Sequence, residues 1–283
     1  MSDKELKALV SLLDDNDEQV VAEVTGKIRS LGKEVIPYLE QEWENNFNPL
    51  VQRKIENLIH DLQYELLKQR VADWYASTDQ DLLTGLWLIA TYQYPDLELE
   101  RLKQDLEQIY YEAWLEFKPD LYAFDQVKVL NGVLFNKLKF GANTKNFHSP
   151  GNSMINVVLE TRKGNPISLC VIYMLVAQKL KLPVYGVNLP NLFILTYKDE
   201  KTQFYINAFN KGLIFSRQDI ENYIHELHLA PQPSFFEPCS SLEIVRRVFR
   251  NLIMSFDKMG EHGKAEEVKE LLLLIADGAD LGV

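Results

Sequence analysis

Two cysteines (Cys170, Cys239), five histidines (His60, His148, His225, His228, His262) and Ser168 are the side chains best suited to nucleophilic or metal chemistry in this chain. A thiol or hydroxyl becomes a nucleophile when a neighbouring base or a positive local field activates it. Cys170 sits in the apolar run Leu169–Ala177, where it reads as a small buried hydrophobe. Ser168 lies two residues earlier, about 200° around a helix, so the two cannot serve one site together. His225 and His228 are three apart and can share a metal, but no nearby Cys or third His completes a set. The two cysteines form neither a disulfide framework nor a metal motif, so no metal or cofactor is expected.

The elements that must position these groups are legible in the hydrophobic pattern. Pro166–Leu180 is apolar almost all round, with Asn165 as N-cap and Pro166 at the first helical position. A helix of that kind is buried on all sides. Three strand candidates follow, Val184–Leu189, Phe193–Tyr197 and Gln203–Phe209, with a polar turn at Lys198–Thr202. Short antiparallel strands beside one buried helix predict an α+β domain. Before them, residues 4–116 read as helices throughout, and 141–164 is a turn-rich segment dense in Gly, Asn, Ser and Pro. After them, Ser240–Glu243 reads as a capping box opening a helical pair, and residues 277–283 as a frayed end.

The 283 residues carry a formal net charge of −11, split into −14 over residues 1–125 and +3 over 126–283. Residues 126–181 alone hold eight basic side chains against one acidic one, Glu160. An acidic chain excludes general nucleic-acid binding, and the longest apolar run, nine residues, excludes a membrane span. The start, MSDKELKALV, lacks the features of a secretory signal, so a cytoplasmic protein is expected. The charge shift suggests two parts that face each other, or a shared partner, through opposite charge.

Four phrases, LNGVLF at 130–135, FGANTKNFHSPGNSMINVVLETRKGNPISL at 140–169, LPVYGVNLPNLFIL at 182–195 and FYINAFNKG at 204–212, resemble the transglutaminase-like superfamily in its bacterial SirB-type branch. Residues 9–41 resemble a HEAT-type helical repeat, and residues 240–276 a TPR-like helical pair. The resemblance implies a papain-like core at 121–239, after a helical part at 1–120 and before a helical tail at 240–283. It also implies a Cys at the start of the central helix, a His on the next strand and an Asp on the one after.

On this chain the nucleophile position falls near Pro166, Ile167 or Ser168, and only Ser168 carries a nucleophile. The base position falls at Leu192, which accepts no proton, and the acid position at Asn207, which carries no charge. Losing triad members lowers rates by about 10⁴-fold or more. The relic-site positions are thus Ser168, Cys170, Leu192 and Asn207. The chain reads as a pseudoenzyme, a protein-interaction or scaffold module with a protein or peptide as partner. The alternative is a cysteine- or serine-dependent acyl transferase or peptidase using Cys170 or Ser168. Asn146, His148, Asn152, Arg162, Lys163, Asn165 and Asn188 are the candidate cleft or docking residues.

Overall fold

The computed structural model of the protein describes residues 3–118 and 120–276. Residues 277–283, read above as a frayed end, lie outside the described residues. The chain packs as two compact units, residues 1–70 and 71–283.

The first unit contains α1 (Asp3–Ser11), α2 (Glu18–Arg29), α3 (Ile36–Asn45) and most of α4 (Pro49–Ala76). The side chain of Asp17 accepts the N–H of Gln19 at 2.9 Å and starts α2. Val51, Ile55, Leu58 and Leu62 form one stripe of α4 and bury against Leu13, Ile28 and Leu39.

The second unit takes in the end of α4 together with α5 (Leu82–Thr91) and α6 (Leu99–Glu116). Leu82, Leu86, Leu88, Ile89 and Ala90 of α5 are all core residues, too many for one face of a cap. After α7 (Ala123–Asn131), the chain continues as a π-helical turn to Lys137. β1 (Gly141–Ala142) and β2 (Lys163–Gly164) then pair in parallel around α8 (Ile155–Thr161), and α9 (Pro166–Lys179) follows. The opposite charges meet inside this unit. Lys137 bridges Glu112 at 2.9 Å and Glu116 at 3.1 Å, and Lys179 pairs with Glu107.

β3 (Val184–Leu189), β4 (Leu192–Lys198), β5 (Gln203–Asn207) and β6 (Leu213–Phe215) form one antiparallel sheet in sequence order, so the fold is α+β. The strand β6 was not legible in the sequence, because three residues are too few to display a period. Side chains alternate across a sheet. Val187, Leu189, Ile194 and Tyr205 therefore share one face, covered by Ile220 and Ile224 of α10 (Arg217–Glu226). Gly186, Asn188, Phe193 and Leu195 share the other. There Ile244 of α11 (Ser241–Lys258) approaches so closely that a Cβ on Gly186 would lie 3.2 Å from it. Finally, α12 (His262–Leu273) packs on α11, with buried Arg246 donating to the carbonyl of Ile275.

Candidate functional site

The start of α9 is built by a capping box. The Asn165 Oδ1 accepts the N–H of Ser168 at 2.9 Å, and the Ser168 Oγ accepts the N–H of Asn165 at 3.0 Å. The Ser168 hydroxyl donates to the Asn165 carbonyl at 3.2 Å, and Asn165 Nδ2 donates to Ser153 Oγ at 3.1 Å. Ser168 is buried, and both its donor and an acceptor lone pair are engaged by the helix start. It caps a helix and does not present a nucleophile.

Cys170 is fully buried, and its thiol donates to the carbonyl of Phe193 at 3.5 Å. Burial is the main cause that pushes this thiol far above the ordinary cysteine range. Burial, then Glu243, pushes Cys239 up to about 12. A thiol so placed is a poor nucleophile. Iodoacetamide at neutral pH is expected to leave Cys170 intact in the folded protein and to modify it fully in denaturant. Mass spectrometry of the peptide carrying Cys170 reads both states, and rapid selective labelling of the native protein would contradict this placement.

Leu192 packs on the sheet face covered by α10, with Leu189 and Ile194. Asn207 belongs to that face by alternation, and its Oδ1 accepts the N–H of Asn210 at 3.1 Å, capping a single turn. The start of α9 instead adjoins Phe193, one residue along β4. One step exchanges the faces of a strand. Ser168, Cys170, Leu192 and Asn207 therefore do not converge on one cleft.

A cleft of about 200 Å³ does open at the start of α9. His148, Asn165, Pro166, Ile167, Asn191, Phe193, Arg247, Asn251 and Met254 line it, together with Phe147, which is about half exposed. Of the residues expected here, His148 and Asn165 line it directly. Asn188 acts one step back, accepting from Arg247 at 3.2 Å. Asn152 shapes the wall. Its Nδ2 donates to the carbonyls of Asn146 and Phe147, and its Oδ1 accepts from Asn143. Asn146 takes part through that carbonyl. Arg162 stacks over Phe140 at 4.7 Å, and Lys163 lies in β2; neither lines the cleft. Arg247, Asn251 and Met254 were not singled out from the sequence, although their i, i+4, i+7 spacing marks one helix stripe.

A larger groove of about 540 Å³ lies in the first unit beside Arg29, Asp61 and Tyr64. Its Arg29 and Asp61 neutralise each other. The cleft at α9 is the better candidate, because a guanidinium held only by Asn188 among the described residues, an imidazole and apolar walls meet there. Among the described residues, no group of three or more His, Cys, Asp or Glu is placed to hold a metal, and no helix is long and apolar enough to cross a membrane.

The family model of the transglutaminase-like superfamily matches residues 100–250, a span that contains most of the cleft. A UPF0162 protein of Xylella fastidiosa (strain 9a5c) is 31% identical over 180 residues, covering 60% of this chain and 63% of that one. F-box only protein 21 of Mus musculus is 28% identical over 160 residues, covering 54% of this chain and 24% of that one. The chain thus spans less than two thirds of the length of these relatives. No solved structure matches it.

Proposed function

The chain belongs to the transglutaminase-like superfamily, and from that we propose that it is a non-catalytic member of the SirB-type branch, a cytoplasmic protein-interaction or scaffold module. Its N-terminal helices are HEAT-like, its C-terminal pair is TPR-like, and its partner is a protein or peptide held in the cleft at the start of α9. One observation carries this reading: the Ser168 hydroxyl is engaged in the capping box and the Cys170 thiol is buried against Phe193, so neither faces the cleft imidazole. A match of 54% of this chain to 24% of a longer protein supports a module joined to different neighbours.

The full chain is expected to incorporate no amine into a glutaminyl peptide, and to hydrolyse no thioester, faster than its C170A and S168A variants. Photo-crosslinking from Asn191 is expected to capture a partner that F147A/M254A loses. Turnover abolished by C170A or S168A would overturn the reading, as would capture indifferent to the loss of these two apolar walls.

A further inference from the structure

Arg247 extends from α11 into the cleft, partly buried, and its one hydrogen-bond partner among the described residues is the neutral Asn188 Oδ1 at 3.2 Å. Among the described residues, no carboxylate lines the cleft and no acid pairs with this guanidinium, although the chain has 41 acidic residues. Lys137 and Arg217 of the same unit, by contrast, each pair with an acid. A partly desolvated guanidinium facing neutral groups is costly unless an anion completes its hydrogen bonds. Burial, and then the neighbouring Arg250, hold Arg247 below the usual guanidinium range.

We infer that the cleft binds a carboxylate carried by a peptide, with Arg247 as the anion-binding side chain and Ile167, Phe193 and Met254 receiving the apolar part of the same or the adjoining residue. This rests on the module reading above and names its ligand chemistry. The planar guanidinium matches a carboxylate through two parallel N–H donors. The cavity, about 200 Å³, admits one residue rather than a long segment. Asn191 and Asn251 also line the cleft, and a carboxamide can both donate to and accept from a peptide backbone. The carboxylate belongs either to a chain end or to an Asp or Glu side chain.

Met254 lines the cleft and provides the readout through methyl-¹³C methionine spectra of the full chain. Three probes separate the sources: N-acetyl-Gly-Phe free acid, its amide, and N-acetyl-Asp-Gly-Phe amide. A saturable shift of the Met254 methyl with the free acid alone identifies a chain end, and with the Asp peptide an internal acid. The neutral amide is expected to bind about tenfold or more weaker, and R247Q to lose the preference. N251D, which sets a negative charge in the same cleft, is expected to lose it too and covers the case of an R247Q chain that does not fold. Equal binding of acid and amide, unchanged in N251D, overturns the carboxylate inference and leaves the module reading standing. Absence of any Met254 shift to about 10 mM probe also overturns it. The crosslinking and turnover assays decide the module reading separately.

Discussion

Replacing Asn152 by leucine is expected to destabilise the second unit by about 2–4 kcal/mol, lowering its melting temperature by roughly 5–15 °C. Asn152 is almost fully buried and serves three partners. Its Nδ2 donates to the carbonyls of Asn146 and Phe147, at 2.8 and 2.9 Å, and its Oδ1 accepts from Asn143 at 2.8 Å. Leucine keeps the branching at Cγ and removes every one of these bonds. Each buried polar group left without a partner costs about 1–3 kcal/mol. Asn146 and Phe147 are exposed, so water recovers part of that loss, which places the estimate below the sum of three orphans. Asn146→Ala is the control. Its exposed side chain holds nothing together, and a change within about 0.5 kcal/mol is expected. A melting curve of N152L that overlays the wild type would show that the loop of residues 143–152 is held by other contacts. The functional consequence goes with the structural one, because this loop carries Phe147 and His148 into the cleft.

Gly164→Ala is expected to cost a similar amount, about 2–4 kcal/mol, by a different route. A Cβ at Gly164 would lie 2.4 Å from Ser168 Oγ and 3.0 Å from a methyl of Val158. The serine hydroxyl cannot swing aside freely, because it accepts from and donates to Asn165. Leaving that box removes a helix cap, worth about 1 kcal/mol, and the crowding adds about 1–3 kcal/mol. The mechanism predicts a sign for the coupling. In the double variant G164A/S168A the hydroxyl that collides is gone, so its destabilisation should fall short of the two single effects added. Denaturant titration of the four proteins reads this directly. Strict additivity would mean that the two residues do not meet, and that the start of α9 is held in some other way.

The capping box at Asn165 illustrates what local pattern can reveal. Asn-Pro-Ile-Ser ahead of an apolar run states a helix start, its cap and its burial within a few residues, and the structure has that cap. The same holds for Ser240 and Glu243 at α11 and for the first three long strands. These features depend on neighbours three or four residues apart, or on a period of two, so the information is local. Charge changes near residue 125, whereas the compact units divide near residue 70. Charge describes the surface, and a domain is delimited by its core.

The candidate site divides in the same way. The residue types of the chain alone establish that Leu192 accepts no proton and Asn207 carries no charge, since these are properties of the side chains themselves. Only the tertiary structure decides that Ser168 is engaged in capping, that Cys170 lies behind β4, and that Phe193 rather than Leu192 adjoins the start of α9. It also decides that Arg247, 82 positions after Asn165, completes the cleft, with no carboxylate beside it among the described residues. The reason is physical: a side chain's chemistry is carried by its own atoms, whereas its neighbours, solvent and facing partner are set by how helices and strands distant in sequence pack together.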